Sequence, residues 1–246
     1  MAFISTSKPL KISRANLQLM KECPRCFWLY KHKGIGRPQG YPYTLSIAVD
    51  QLLKSEFDEY REKGKMHPVL IKHSGLTEAH LYPDQAQLQK WRNNFEGLKY
   101  HDEGLDATLF GAVDDMLEFS DGSLAVIDYK SSGAKEISVY DDYQMQMDTY
   151  TYILEQLGLK TARKAYFVFF QVDKTDGFRG RLPFRGEIRE VTTDPSYIYD
   201  LFSKAAQLAR SDTPPPSHSE CQYCTWWNHH KKAISEEKLE QTLFDN

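Results

Sequence analysis

The four cysteines of this 246-residue chain fall into two pairs, one near each end of the sequence, and no other feature restricts the fold as strongly. The pairs are Cys23-Pro-Arg-Cys26 and Cys221-Gln-Tyr-Cys224. A two-residue spacer lets both thiolates of a pair face one metal, and two such pairs complete a tetrahedral site for zinc or hold an iron–sulfur cluster. We therefore predict that all four cysteines share one metal site.

Disulfide bonds and redox-active cysteine pairs are the alternatives for this pattern. Disulfides are uncommon in a reducing cytosol, and neither pair lies at a recognisable strand-to-helix junction of a thioredoxin-like unit. His229 and His230 follow the second pair closely, so one of them could replace a thiolate, although histidines in a polar tail are usually solvated. The metal would act as a clasp between the segments at about 13–31 and 217–230.

Composition is typical of a globular protein inside the cell. With 41% hydrophobic residues the chain can bury a sizeable core, and its net charge of −3 excludes a generally basic coat but not a local basic groove. No apolar run approaches the roughly 18–20 residues of a membrane span, and the N-terminus lacks a signal-peptide core. We predict a cytoplasmic protein without membrane contact, folded as one domain over residues 1–246 with its core at about 45–210.

Hydrophobic periodicity and turn residues divide the chain into helices and strands in an order that indicates an α/β fold with a mixed sheet. Pro24 predicts a break in the first helix. The predicted helices cover residues 13–31, 45–62, 84–98, 140–157 and 194–210, and the predicted strands cover residues 108–119, 123–129, 165–172 and 185–191.

The two strands around the turn Asp121-Gly122 carry the residues that point to chemistry. Asp128 and Lys130 are two positions apart, so they project from the same face of a strand. Asp114 lies on the neighbouring strand, where pairing could bring its carboxylate beside Asp128. The two carboxylates would repel each other unless a divalent cation such as Mg²⁺ or Mn²⁺ lay between them. The ammonium of Lys130 could then face a phosphate oxygen or the attacking water. Two carboxylates, a metal and a lysine are the smallest set of groups that metal-assisted phosphodiester hydrolysis needs.

A purely structural reading remains open on spacing alone, with two aspartates that end strands and a solvated lysine. The order of the motifs, however, resembles the PD-(D/E)XK nuclease superfamily, specifically its RecB-like branch. The cysteines narrow the resemblance to CRISPR-associated RecB-like exonucleases with an iron–sulfur cluster. The resemblance runs from about Ser13 to Trp227 and rests on Gly111-x-x-Asp114, Asp128-x-Lys130, Gln146-x-x-x-Tyr150 and the two cysteine pairs.

This resemblance implies a restriction-endonuclease-like core, with a mixed central sheet flanked by helices and with the cysteine clasp added. It also implies roles for the residues of the hairpin. Asp114 and Asp128 would hold the divalent metal, with the carbonyl of Tyr129 as a further ligand. Lys130 would be the catalytic lysine.

Residues on two helices would complete the site. Gln146 and Tyr150 lie one helical turn apart and would line the wall that faces DNA; alternatively, Tyr150 packs in the core and Gln146 caps a neighbouring loop. The family commonly has a metal-binding histidine where this chain has Asp50. Asp50 shares a helix face with Leu53 and Phe57, which predicts that it points inward as a further metal ligand.

The cysteine pattern also departs from the family, which usually draws one cysteine from the N-terminal segment and three from the C-terminal one. Here the pattern is two and two, with His230 near where the last cysteine would fall. The choice between [4Fe–4S], another cluster and Zn²⁺ therefore stays open. The resemblance favours the [4Fe–4S] cluster, and the spacing alone favours zinc.

Clustered basic residues could bind DNA despite the acidic total, because affinity depends on cations near phosphates. One candidate group alternates along an apparent hairpin, and a second lies at the start of the third strand. The residues that we expect to contact DNA are Arg179, Arg181 and Arg185 in the first group and Lys164 in the second.

These observations predict a divalent-metal-dependent DNA exonuclease that acts on single-stranded DNA or DNA ends. One alternative is a catalytically weak DNA-end-binding or scaffolding subunit, which aspartate in place of histidine at position 50 favours. Another is a zinc-clasped protein whose carboxylates are incidental. By resemblance, its partners would be proteins of CRISPR adaptation, or of repair or phage DNA processing.

Overall fold

The computed structural model of the protein describes residues 9–134 and 136–244, and for residues 236–244 it describes the backbone alone. Among the described residues, no helix is both long enough and apolar enough to cross a membrane. The elements are β1 (Leu10–Ser13), α1 (Arg14–Glu22), α2 (Pro24–Lys33), α3 (Thr44–Glu62), α4 (Pro68–Ile71), β2 (Ala79–Leu81), α5 (Gln85–Arg92), β3 (Leu98–Asp102), β4 (Ala107–Gly111), β5 (Asp115–Phe119), β6 (Leu124–Ser132), α6 (Asp141–Gln156), β7 (Thr161–Val172), β8 (Phe184–Thr192), α7 (Ile198–Arg210) and α8 (Gln222–Phe244).

The strands form two sheets, and the predicted α/β fold with a mixed sheet flanked by helices is confirmed. The larger sheet has the order β2-β5-β6-β7-β8, in which β6 and β7 are parallel and the other neighbours antiparallel. The smaller sheet has the order β1-β4-β3. Side chains of β6 alternate between two hydrophobic clusters, Val126 on the side of α6 and Ile127 on the side of α3. The larger sheet is therefore covered on both faces.

The prediction of one strand over residues 108–119 is wrong, because the chain passes from the smaller sheet to the larger one at residues 112–114. The backbone there bonds to groups outside the sheets. Ala112 accepts a hydrogen bond from the hydroxyl of Tyr150, and the Val113 N–H donates to the carbonyl of Trp91. These partners are distant in sequence, so the local pattern could not reveal the break.

The predicted helix over residues 84–98 is too long, since α5 ends at Arg92 and Leu98 already begins β3. The side chain of Asn93 accepts hydrogen bonds from the backbone N–H groups of Phe95 and Glu96, which replaces helical bonding with a turn. Gly97 completes the turn with a φ of +50°, a conformation that favours glycine.

The break predicted at Pro24 separates α1 from α2 and turns the first cysteine pair inward. Ser13 caps α1 by accepting from the N–H of Asn16, whose side chain accepts from the Ser13 N–H in return. Cys23 is extended, and Pro24 starts α2 at its first position. Cys23 and Cys26 are consequently both buried at this corner.

Candidate active site and metal centre

Asp114 and Asp128 lie on facing segments at the end of the hairpin formed by β5 and β6. Asp115 pairs with Ile127 in the antiparallel register, so Asp114 immediately precedes β5 opposite Asp128. The backbone N–H of Tyr129 donates a hydrogen bond of 3.0 Å to Asp114 Oδ2. This bond fixes the Asp114 carboxylate beside the residue that follows Asp128.

Asp128 is buried, and both of its carboxylate oxygens face polar groups. Gln146 Nε2, from α6, donates to Oδ1, and the ammonium of Lys130 contacts Oδ2. Burial, followed by repulsion from the Asp114 carboxylate, raises the pKa of Asp128 to about 6. A cation beside this carboxylate would therefore stabilise its negative charge.

The side chain of Lys130 projects from the same face of β6 as that of Asp128, as the two-residue spacing predicts. Its ammonium lies 4.7 Å from the ring centre of Tyr143 and 5.8 Å from that of Phe167, so aromatic faces support the charge. The side chain is 22% exposed. It borders a cavity of about 180 Å³ lined by Ser46, Asp50, Leu53, Tyr129, Lys130 and Ser131.

Asp50 lines this cavity from α3, but its carboxylate is paired rather than turned into the core. Lys54 Nζ lies 2.8 Å from Asp50 Oδ2 and 2.8 Å from Asp114 Oδ1, so one ammonium bridges the two acids. Burial disfavours this ammonium, yet the carboxylates of Asp114 and Asp50 outweigh burial and raise the pKa of Lys54. Sequence reasoning missed Lys54, although its place four residues after Asp50 is the spacing of a helical ion pair.

Asp115 supports the site from the buried side and is the second residue that sequence reasoning missed. It is fully buried and accepts hydrogen bonds from Arg61 Nη2, from Arg92 Nη2 at 3.0 Å and from the Tyr129 hydroxyl at 2.6 Å. Arg92 Nε also donates to the Asp114 carbonyl at 2.6 Å. Burial and the Asp115 carboxylate hold the pKa of Tyr129 well above its ordinary value, so its hydroxyl remains a donor. Buried charges therefore fix the backbone at Asp114 and at the residue that follows it.

Tyr150 lies behind the segment that carries Asp114. It is 3% exposed, and its hydroxyl donates to the Ala112 carbonyl at 2.7 Å. A Cβ at Gly111 would lie 2.5 Å from Tyr150 Cε1, so the ring occupies the space that any larger residue would need. The geometry thus favours the alternative in which Tyr150 packs in the core. Gln146 donates directly to Asp128, which favours a place in the site over the loop-capping alternative.

The four cysteines gather at one buried point, and none of them is in a disulfide bond. Cys26 Sγ lies 3.6 Å from Cys221 Sγ and 3.7 Å from Cys224 Sγ, and Cys23 Sγ lies 3.8 Å from Cys224 Sγ. Among the described residues, they are the only group of three or more cysteine, histidine or acidic side chains whose ligand atoms all lie within 4.8 Å of one another.

The other candidate ligands lie outside this tight group. Asp50, Asp114 and Asp128 do not form an equally tight group, because Lys54 lies between Asp50 and Asp114. His230, considered above as a replacement ligand, is exposed on α8 and stacks on Trp226 with ring centres 5.0 Å apart.

The basic residues expected to bind DNA form two separate groups. Arg179 and Arg181 are exposed in the connection between β7 and β8, and Arg185 pairs with Asp173 at 2.8 Å. Lys164 pairs with Glu190 at 2.8 Å. On β7, Lys164 is seven residues before Gln171, which lies opposite Arg185 in the register of β7 and β8. Seven residues amount to about 24 Å along the strand. Lys130 of β6 lies opposite Phe169 of β7, near the end of β7 that faces Arg185. The arginines therefore lie at the active-site end of the sheet, and Lys164 does not.

Similarity to known proteins extends over most of the chain. The crystal structure of SSO0001 is similar at 15% identity and a TM-score of 0.44, over 91% of this chain and 86% of that chain. No curated protein matches the chain. The family model of the PD-(D/E)XK nuclease superfamily matches residues 11–229, a segment that includes Asp114, Asp128 and all four cysteines. A match over most of its length shows that the chain belongs to the PD-(D/E)XK nuclease superfamily, which indicates a metal-dependent nuclease with DNA as its substrate.

Proposed function

We propose that this protein is a DNA exonuclease of the RecB-like branch, which hydrolyses phosphodiester bonds of single-stranded DNA or DNA ends with the help of a divalent metal. The observation that carries the proposal is the hydrogen bond from the Tyr129 N–H to Asp114. It holds one carboxylate against the segment that supplies a second carboxylate, Asp128, and a lysine, Lys130. Two acids and one ammonium at a sheet end are the groups that metal-assisted hydrolysis needs.

Asp114 and Asp128 would hold Mg²⁺ or Mn²⁺, with the Tyr129 carbonyl as a further ligand. The donors fit such an ion because all are oxygens, which hard divalent cations prefer. The raised pKa of Asp128, caused by burial and by Asp114, also indicates a site that a cation would stabilise. When bound, the ion would polarise a phosphate oxygen and make a water molecule more acidic.

The remaining side chains would orient the carboxylate of Asp128 and neutralise the charge of the phosphate. Gln146 would hold one oxygen of Asp128, which leaves the other oxygen on the side of Lys130. Lys130 would place its ammonium against the phosphate oxygens and stabilise the negative charge that develops in the transition state. Tyr150 would contribute indirectly, because its hydroxyl holds the backbone that precedes Asp114.

The DNA strand would leave the site along the connection between β7 and β8. Arg179, Arg181 and Arg185 lie at the same end of the sheet as Lys130 and would neutralise backbone phosphates there. Lys164, on β7 at the other end of the sheet, would meet only a distant part of a long substrate. The preference for DNA ends, and partners from CRISPR adaptation, repair or phage DNA processing, rest on the family resemblance described above.

For the cysteine centre we propose a single zinc ion, in place of the [4Fe–4S] cluster that the resemblance favours. Four sulfurs about 2.3 Å from one zinc ion in a tetrahedron are about 3.8 Å apart. Three of the six sulfur separations are 3.6–3.8 Å, which agrees with this value, and all six are within 4.8 Å. In a [4Fe–4S] cluster each cysteine binds a different iron, so its sulfurs are spread more widely. The zinc would be structural, since all four positions around it would be filled by protein.

The decisive experiment is cleavage of end-labelled linear single strands, blunt duplexes and circular single strands with Mg²⁺, Mn²⁺ or Ca²⁺. We expect linear strands to be degraded and circles to survive, because an exonuclease needs an end. Lys130→Ala should abolish cleavage but leave DNA binding within a few-fold of the parent. Lys160→Ala is the matched control, since Lys160 is an exposed lysine paired with Asp121 outside the site. A fully active Lys130→Ala variant would refute the assignment.

One observation favours a second candidate, a DNA-end-binding subunit with little activity. Lys54 bridges Asp50 and Asp114, so an ammonium is paired with carboxylate oxygens that a metal ion would need. In that case the parent protein would bind labelled ends tightly and cleave none of the substrates with any metal. The same experiment therefore separates the two candidates.

A further inference from the structure

The chain turns back along α2 and brings a basic side chain to the cysteine centre. Gly34 ends α2 with a φ of +70°, a left-handed conformation that turns the chain out of the helix. A Cβ at Gly36 would lie 3.6 Å from Tyr30 Cδ2, so the returning segment runs against the side of α2. Arg37 comes next, and its side chain reaches Glu22, the last residue of α1, with which it forms an ion pair.

The guanidinium of Arg37 contacts residues next to both cysteine pairs. Its Nη1 pairs with Glu22, which directly precedes Cys23, and its Nη2 donates to Cys221 Sγ at 3.8 Å. Its central carbon lies 4.7 Å from the ring centre of Tyr223, at the start of α8. The side chain is only 21% exposed. Arg37 therefore connects the loop before α3 to the segments that carry both pairs.

Negative charge would accumulate at the cysteine centre when a zinc ion is bound. Four thiolates around one doubly charged ion leave an excess of about two negative charges. Glu22 and Glu220, which line a cavity of about 340 Å³ beside Cys221, would add to this excess. An N–H donated to a thiolate, in contrast, stabilises its charged form. The Nε of Arg37 is buried without a hydrogen-bond partner among the described residues, and burial of such a cation needs compensating negative charge nearby.

We propose that Arg37 is a positioning residue of the cysteine centre, which hydrogen-bonds to the Cys221 thiolate, compensates part of the thiolate charge and thereby holds the metal more tightly. Side chains that bond to metal ligands orient those ligands, and their loss costs about 10–100-fold in metal affinity. Arg37 belongs to residues 34–43, which lead into α3, so the same contacts tie the centre to the helix that carries Asp50. This role rests on the zinc centre proposed above.

The test uses full-length protein purified with Co²⁺ in place of zinc, because tetrahedral cobalt–thiolate centres absorb visible light. Competition with a chelator of known affinity gives the Kd for Co²⁺. Arg37→Met, which removes the charge and the donors, should raise this Kd about 10–100-fold. It should also move the sulfur-to-cobalt charge-transfer band to longer wavelength, because a thiolate that loses a hydrogen bond gives up an electron more easily. Arg37→Lys restores the charge and should recover part of the affinity.

Two control variants separate this role from a purely structural one. Glu22→Gln breaks the ion pair of Arg37 but leaves its bond to Cys221, so the Kd should not rise and the band should stay in place. Arg25→Met removes another arginine of the same corner, whose Nε donates to the Pro215 carbonyl at 3.0 Å, and should also leave the band in place. A purely structural role for Arg37 would make Glu22→Gln equivalent to Arg37→Met.

Two results would overturn the role of Arg37 alone, given a parent protein with a tetrahedral cobalt–thiolate spectrum. One is an Arg37→Met protein with the Kd and the band of the parent. The other is a Glu22→Gln protein that reproduces both changes. A parent protein that takes up Co²⁺ without such a spectrum would refute the zinc centre and the role of Arg37 together.

Discussion

Tyr129 donates its backbone N–H to the carboxylate of Asp114 at 3.0 Å. Its hydroxyl donates to Asp115 at 2.6 Å. A single residue of β6 therefore binds two consecutive aspartates, the partly exposed Asp114 and the fully buried Asp115. The position of Asp114 depends on the buried charges around Asp115 as well as on the hairpin itself.

Arg92→Leu should destabilise the protein strongly, because it removes one of two guanidinium groups that compensate the buried Asp115. Breaking a buried ion pair from one side costs about 3–5 kcal/mol. Urea unfolding followed by circular dichroism measures this free energy. Arg185→Leu, which breaks an exposed pair with Asp173, should leave the unfolding midpoint unchanged. Equal midpoints for the two variants would contradict the role assigned to Arg92.

Gly111→Ala should reduce both stability and cleavage. The added Cβ would lie 2.5 Å from Tyr150 Cε1, and forcing extra volume into a packed site costs about 1–3 kcal/mol. Replacing Tyr150 with leucine in the same protein should recover part of the loss, which a double-mutant cycle measures. Gly133→Ala is the control, since a Cβ there meets nothing within 4 Å. A Gly111→Ala protein as stable as the parent would exclude this close contact.

Lys54→Met should lower the Mn²⁺ concentration needed for half-maximal thermal stabilisation by about tenfold, a factor equivalent to 1.4 kcal/mol. The reason is that the Lys54 ammonium competes with a cation for Asp50 and Asp114. Differential scanning fluorimetry over a Mn²⁺ series measures the midpoint. Lys160→Met, which removes the exposed partner of Asp121, should leave that midpoint where it is. A higher Mn²⁺ requirement in Lys54→Met would show that Lys54 supports the site instead of competing for it.

Protein purified without oxygen should be colourless and contain one zinc ion per chain by elemental analysis. Cys23→Ser and Cys221→Ser should each lower the metal content and the Tm, because the free energy of metal binding contributes to folding. His230→Ala should retain the full metal content, since His230 stacks on Trp226 outside the group of sulfurs. Brown protein with visible absorption and about four irons would establish the [4Fe–4S] cluster and refute zinc.

Elements with a strong local pattern were predictable from the sequence. The helix expected at 45–62 is α3 at Thr44–Glu62, and the strand expected at 185–191 is β8 at Phe184–Thr192. Both show periodicity over their whole length. The strand expected at 108–119 failed because its interruption depends on Trp91 and Tyr150, which reach residues 112–114 only through the tertiary fold.

The same distinction applies to the candidate site. That Asp128 and Lys130 share a face follows from strand geometry, which is local. Lys54 and Arg92 reach Asp114 from two different helices, and no spacing in the sequence relates those helices to the hairpin. The compensation of Asp114 by Lys54 and of Asp115 by Arg92 was therefore visible only once the helices were packed on the sheet.

The sulfur centre has a consequence for the timing of assembly. Cys26 and Cys221 are 195 residues apart, so during synthesis the first pair must wait for most of the polypeptide before its partners leave the ribosome. Until then, only two of the four cysteines are present, so an ion bound to them would remain exchangeable. With the proposed zinc ion, this centre would close late in folding, and cells short of that metal would accumulate chains whose two cysteine pairs are separated.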